Sequence, residues 1–360
     1  MKLLFDARTI TPSYPGIGRY ARGLMTALVD ILRDGLTALC HAPDSSLPST
    51  GYRRFTLSTD VRETLDQILT PLTLTRHFTP SRFVYHSPFY IFPYLLPHPT
   101  VVTLYDLVPL MHPESFNSTI RTMYALTHCL AASRARHIIT LSNAARDDFI
   151  HHLHIPPHKI SVVPPGILPL ATRHQPPVTL PFLLYVGINK PHKNLPRLIE
   201  AYARLGPGAP PLLIVGPVDP RFPETQGLVE RLNLADRVRF LGHVPEDNLA
   251  ALYANATFFV SPSLLEGFGF PVLEAMAYGA PVVCSDIPVL RELAGDAALY
   301  FDPRQVDSIA QALAEGLANA DRRAALQERG LARAQKFTWP AAAQRTIGIY
   351  REILAAGSKR

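Results

Sequence analysis

Two runs of alternating strand-like and helix-like segments, parted by one proline-rich break, constrain this 360-residue chain more than any other feature. In the first run, apolar stretches at Lys2–Asp6, Leu36–His41, Val84–His86, Thr100–Tyr105, His137–Leu141 and Lys159–Val163 read as strands. Gly18–Arg33 sets Leu24, Leu28, Ile31 and Leu32 at helical spacing, and Asn117–Ser133 and Asn143–His152 also read as helices. Pro164-Pro165-Gly166 then opens a proline-rich stretch to Pro181, the expected linker. The alternation restarts with strands expected at Phe182–Val186, Leu212–Val215, Val238–Leu241, Thr257–Ser261, Pro281–Ser285 and Leu299–Phe301. Helices are expected at Leu195–Leu205, Leu228–Leu232, Asp247–Tyr253, Pro271–Tyr278, Gln305–Glu328 and Trp339–Leu354. Such alternation implies parallel sheets covered by helices. The expected class is α/β, with two Rossmann-like, doubly wound domains at residues 1–165 and 182–338, a linker at 166–181 and a terminal helix at 339–360. Such halves bind ligands in a crevice at the carboxyl ends of their strands.

Composition removes several other classes. The 35 prolines are about twice the usual share, which forbids long unbroken helices over most of the chain. They come without serine, glycine or glutamine repeats, so low complexity is not their cause. Cys40, Cys129 and Cys284 are odd in number and far apart, which excludes a disulfide framework and a CxxC metal site and suits a reducing cytoplasm. Asp6 comes too early for a signal peptide. Between Arg82 and Asp106 lie 23 residues without Asp, Glu, Lys or Arg, but Pro88, Pro93, Pro97 and Pro99 rule out a spanning helix. Seven aromatics in Phe83–Tyr105 fit either two core strands with a buried loop or an apolar, membrane-facing surface. The net charge of +6 shows no dense basic cluster with interleaved aromatics, so nucleic acid is not expected. An anionic small molecule, or weak contact with an anionic membrane, fits the charge.

The chemistry concentrates in Glu266-Gly267-Phe268-Gly269-Phe-Pro-Val-Leu-Glu274, which follows the strand TFFVSPS and opens the helix LEAMAYG. Backbone amides at a glycine-rich turn entering a helix cradle anions or hydroxyls. Both glutamates can accept hydrogen bonds from vicinal hydroxyls of a sugar or ribose. The plain alternative is a glutamate complementing the helix dipole and glycines that permit tight packing. Lys193 lies between a strand and a helix starting near Asn194, where a cation beside helix amides suits a diphosphate. Gly16-x-Gly18-x-x-Ala21 fits a dinucleotide fingerprint, but its strand ends near Asp6, about ten residues too early, which argues against NAD. His151, His152, His154 and His158 lack Cys, Asp or Glu at ligand spacing, so no metal site is expected.

The Glu266–Glu274 string resembles the Glu–seven–Glu motif of retaining glycosyltransferases of family four, which have the GT-B fold. Pro15-Gly16-Ile17-Gly18-Arg19-Tyr20, Val163-Pro-Pro-Gly166 and Tyr185-Val-Gly187-Ile-Asn-Lys190-Pro-His192-Lys193-Asn194 are similar to the same family, in the same order. The resemblance implies two domains facing across a cleft, with the last helix packed back on the first domain. It implies a nucleotide-sugar donor in the second domain. Lys193 would neutralise the diphosphate, Glu266 with Gly267, Phe268 and Gly269 would hold the sugar, and Glu274 the ribose. Gly187, Lys190 and His192 would line the donor site, as would Gly16 and Gly18. Family members carry a second cation, an Arg, near the lysine; here Lys190 or His192 would replace it. Tyr105 stands where the family often has His before Asp106, and is a poor base near pH 7. Both are counted with the catalytic group, Asp106 having loop capping as its alternative. Arg19, Tyr20, His86 and Asp106 would bind a glycan or polyprenyl-linked acceptor.

The implied function is retaining, metal-independent transfer, with mannose from GDP-mannose as the donor, in cell-surface polysaccharide synthesis. No cofactor is expected, and the chain has no Asp-x-Asp. The expected location is cytoplasmic, peripheral on the inner face of the plasma membrane. A sugar-nucleotide epimerase and a non-catalytic sugar-binding protein are the alternatives.

Overall fold

The computed structural model describes residues 1–11, 15–41, 50–57, 59–60, 62–63, 65–167 and 181–357. Most of the expected linker, 168–180, lies outside these. The chain forms two compact units, Met1–Leu110 with Asn117–Leu168 and Phe337–Arg360, and Met111–Phe116 with Pro169–Lys336.

The first half of the chain runs β1 (Lys2–Asp6), α1 (Pro15–Leu32), β2 (Leu36–Cys40), β3 (Arg53–Thr56), α2 (Asp66–His77), β4 (Phe83–Ser87), β5 (Thr100–Thr103), α3 (Val108–Met111), α4 (Ser118–Arg134), β6 (His137–Thr140), α5 (Asn143–Leu153) and β7 (Ile160–Val162). Its strands pair in parallel, in the order β3-β2-β1-β4-β5-β6-β7. Leu3, Leu4 and Phe5 on β1 are all fully buried, the unbroken apolar run that a sheet covered on both faces requires. Strand order reverses between β1 and β4, so the carboxyl ends of those two strands form the switch point of this sheet.

The second half repeats the plan: β8 (Leu183–Val186), α6 (Leu195–Ala203), β9 (Leu212–Val215), α7 (Glu224–Arg231), β10 (Val238–Gly242), α8 (Glu246–Asn255), β11 (Phe258–Ser261), α9 (Phe270–Ala277), β12 (Val282–Ser285), α10 (Pro288–Ala294), β13 (Ala298–Phe301), α11 (Val306–Ala318) and α12 (Ala320–Ala334). The parallel order β10-β9-β8-β11-β12-β13 puts its switch point between β8 and β11. The last helix, α13 (Trp339–Gly357), belongs to the first unit. Its Trp339 ring meets Tyr20 of α1 edge-on, centroids 5.8 Å apart. A Cβ on Gly23 would lie 2.1 Å from that indole, and one on Gly166 would lie 2.0 Å from the Trp339 amide nitrogen, so both glycines admit this tryptophan.

Several elements depart from the sequence expectation. β3 and α2 were not expected, because Arg53–Thr56 is a polar edge strand and Pro71 sits inside α2. The helix expected over Gln305–Glu328 is two helices. Asn319 breaks it, leaving helical geometry and accepting a hydrogen bond from the Arg322 amide at 2.8 Å as the cap of α12. α10 was also unforeseen, being only seven residues long.

Candidate active site

The loops that follow β8 and β11 meet at the switch point of the second sheet. A 3-10 turn, Pro191–Lys193, leads into Asn194, whose φ of +59° is tolerated by asparagine better than by most residues. Asn194 Nδ2 donates to the carbonyls of Pro262 at 3.0 Å and Pro303 at 2.7 Å. The Leu264 amide donates to the His192 carbonyl at 2.8 Å, stitching the two loops together. This scaffold presents Lys193 Nζ to Glu266 Oε1 at 2.6 Å, and Ser263 Oγ donates to the same oxygen at 2.8 Å. The side chains of Lys193 and Glu266 keep 18% and 12% of their surface open, so the pair is partly desolvated yet reachable.

Beyond Glu266 the chain turns through Gly267-Phe268-Gly269 into α9. Gly269 has φ +97°, and a Cβ there would lie 2.7 Å from Leu290 Cδ2, so both backbone and packing require glycine. Glu274 lies one turn inside α9, buried, and accepts from Tyr253 Oη at 3.0 Å. On the other side of β8, Asn189 Nδ2 donates to the carbonyls of Asp219 at 3.1 Å and Phe222 at 2.8 Å. Arg221 grips Asp219 through two nitrogens and lowers its carboxyl to about 2, with help from the Lys190 charge. The result is a rim of cations, amides and fixed carboxylates at strand ends, the setting that binds phosphate and sugar hydroxyls.

A family model described as Glycosyltransferase Family 4 matches residues 14–169, and one described as Glycosyl transferases group 1 matches residues 171–333. An O-antigen chain mannosyltransferase of Escherichia coli is 30% identical over 98% of this chain and 100% of its own. The chain belongs to glycosyltransferase family 4. Sucrose-phosphate synthase from Thermosynechococcus elongatus shares its fold, with a TM-score of 0.76 at 21% identity over 99% of this chain and 100% of its own. HepE of Anabaena, solved with UDP and glucose, matches at 0.76 and 20% over 98% and 100%. The architecture is GT-B, built from two Rossmann-like sheets.

Within this glycosyltransferase, Lys193, Glu266 and the following glycine turn come together, with Ser263, Asn194 and Tyr253 as supports that sequence reasoning did not single out. Ser263 and Asn194 stood inside quoted strings; Tyr253, in α8, carried no signal. Lys190 is half-buried at the start of the 3-10 turn, beside Gly187 at the end of β8. Phe268 is buried and packs on the Phe270 ring at 5.3 Å, a wall of the turn.

Several expected site residues are corrected by their surroundings. His192 is not the second cation. It is buried, and burial together with the charges of Lys193, Lys190 and His112 lowers its imidazole to about 3, keeping it neutral. His86 offers no surface to an acceptor: it is wholly buried, Nδ1 against Tyr350 Oη at 2.5 Å and Nε2 against Thr103 Oγ1 at 2.9 Å. Tyr20 is a core residue 3.3 Å from Thr103 Oγ1. Tyr105 donates its hydroxyl to the Pro88 carbonyl at 2.8 Å, and burial raises it well above the ordinary phenol value, so it is no base. Asp106 Oδ1 accepts from the Val108 amide at 3.0 Å, the capping role, and the Tyr124 hydroxyl lies 3.4 Å away. Gly16 and Gly18 sit in the first turn of α1 rather than in a free turn. The space beside Gly18 is filled by the Thr9 carbonyl, 3.0 Å from where its Cβ would be; Gly16 is open and Arg19 exposed.

Proposed function

We propose that this transferase moves mannose from GDP-mannose to a glycan or polyprenyl-linked glycan, with retention of configuration, in polysaccharide synthesis. The Lys193–Glu266 pair at the β8–β11 switch point carries the reading. A donor diphosphate is a stronger partner for Lys193 than one carboxylate oxygen, so its arrival would free Glu266 for sugar hydroxyls. Glu274, oriented by Tyr253, takes the ribose hydroxyls. The amides at the start of α9 face the sugar, and Lys190 supplies the second positive charge. The acceptor is assigned to the first unit, and the mannosyl choice follows the Escherichia coli relative.

In this reading the bond between sugar C1 and the diphosphate oxygen breaks first. The acceptor oxygen bonds C1 on the same face, and its proton passes to the departing phosphate oxygen. No protein base is needed, which fits a Tyr105 committed to Pro88. The charge developing on the diphosphate is met by Lys193 and Lys190, without a metal.

The test is a thermal-shift panel of GDP, UDP and ADP, followed by transfer to a polyprenyl-linked acceptor with NMR of the product anomer. A GDP-selective upshift, absent in Lys193→Ala, and an α-mannoside product are expected. A preference for UDP would overturn the donor, and an inverted anomer the retention. Epimer formation from the donor alone would replace transfer with the epimerase reading.

A further inference from the structure

Ser263 and Glu266 stand three residues apart, the spacing of a helix capping box. They do not cap a helix. α9 starts only at Phe270, and the Ser263 hydroxyl donates to the Glu266 carboxylate rather than to a backbone amide. Ser263 is 1% exposed, so its side chain is fixed by the loops around it and not by water.

Both neighbours of Ser263 are tied to both neighbours of Lys193. The Pro262 carbonyl accepts from Asn194 Nδ2 at 3.0 Å, and the Leu264 amide donates to the His192 carbonyl at 2.8 Å. One clamp therefore sets the positions of the hydroxyl and the ammonium. The two converge on the same atom, Glu266 Oε1, at 2.8 Å from Ser263 Oγ and 2.6 Å from Lys193 Nζ. Oε2 accepts no hydrogen bond among the described residues.

The two donors respond differently to an arriving anion. Lys193 is a cation on a flexible stem and is drawn to a diphosphate. Ser263 is neutral, short and buried, and stays where the clamp holds it. A glutamate that lost both donors at once would regain its rotamer freedom, which the bound sugar would then have to restrict again.

We infer that Ser263 is a positioning residue: it keeps Glu266 Oε1 anchored when the donor diphosphate draws Lys193 away, so that the carboxylate meets the sugar hydroxyls in one orientation. The inference rests on the donor-site reading above. The test is calorimetric titration of the full chain with GDP and with GDP-mannose, without acceptor, and transfer kinetics beside it. Ser263→Ala should keep GDP affinity within about twofold, because Lys193 is untouched. It should weaken GDP-mannose and lower kcat about tenfold, the share of one hydrogen bond to a charged group. Its Tm should stay within about 2 °C, since only one oxygen is removed and Lys193 still holds Glu266 in the empty site. Lys193→Ala should instead weaken both ligands. Ser263→Thr keeps the hydroxyl and should restore GDP-mannose affinity and kcat. Unchanged GDP-mannose binding and turnover in Ser263→Ala would overturn the proposal, because Lys193 would then serve the diphosphate and Glu266 together. So would equal weakening of GDP and GDP-mannose, or a Ser263→Thr variant of native Tm that is as impaired as Ser263→Ala. A wild type that prefers another nucleotide defeats the donor assignment alone, and the same comparison is then made with that nucleotide and its sugar derivative.

Discussion

The two sheets place charged groups at the same topological position and treat them in opposite ways. At the β1–β4 switch point, Arg8 bridges Asp6 at 2.7 Å and Asp66 at 2.6 Å, and none of the three side chains is more than 1% exposed. Tyr85 Oη donates to Asp6 at 2.6 Å, and Thr59 donates to Asp66. Burial alone would raise Asp6, but the charge and hydrogen bonds of Arg8, with the Tyr85 hydroxyl, outweigh it and hold the carboxyl below its ordinary value. At the β8–β11 switch point, Lys193 and Glu266 are as close, yet remain open to solvent. One doubly wound plan thus yields a sealed electrostatic staple and a solvent-accessible ion pair, the proposed ligand site. What separates them is whether the loops after the strands close over the charges. A buried ion pair resists removal of one partner because the other is left uncompensated, whereas an open pair can exchange its partner for a ligand.

The sharpest way to break this contrast is to delete one cation from each site. Arg8→Met leaves Asp6 and Asp66 facing each other without compensation. The expected cost is about 3–5 kcal/mol. For a unit of this size that is a fall in Tm of roughly 10 °C, read by calorimetry. Lys193→Ala should instead leave Tm within about 2 °C, because water and Ser263 still reach Glu266. Transfer should fall about 100- to 1000-fold, as when one preorganised stabiliser of transition-state charge is removed. If Arg8→Met melts normally, or Lys193→Ala unfolds the second unit, the division into staple and ligand site is wrong.

The same contrast explains what was legible in the sequence. The apolar strand segments, the glycine turn before α9 and the Lys193 loop announce themselves because apolar runs, glycines and closely spaced lysines are local signals. The staple does not. Arg8, Asp66 and Tyr85 are far apart in sequence, and nothing near Arg8 says that its guanidinium is buried. His86 and Tyr20 were misplaced for the same reason: His86 looks like a polar group near a strand end and Tyr20 like the end of a glycine motif, but Tyr350 and Thr103 close over them from distant segments. α2 was hidden by its own inversion, with Asp66 inside and Leu72 outside.

A smaller effect extends the comparison to pH. The first unit seals two neutral imidazoles, His86 lowered to about 3 and His128 to about 4, in each case by burial. In the unfolded chain both return to 6.5. Unfolding therefore takes up protons below that value, and stability falls as pH drops from 6.5, the loss ending only near the folded values. Between pH 7 and pH 5 each histidine should remove about 2 kcal/mol. His86→Gln and His128→Gln should each flatten that slope by its own share in urea titrations of the full chain, whatever they cost at pH 7. Among the described residues the second unit has His192 lowered by burial, whereas the first has His98 and His137 lowered as well as His86 and His128, so the second unit's acid slope should be well below that of the first, followed by hydrogen exchange in each sheet. Equal slopes in the two sheets, or an unchanged slope in both variants, would mean that water reaches these rings and that the first unit is not sealed.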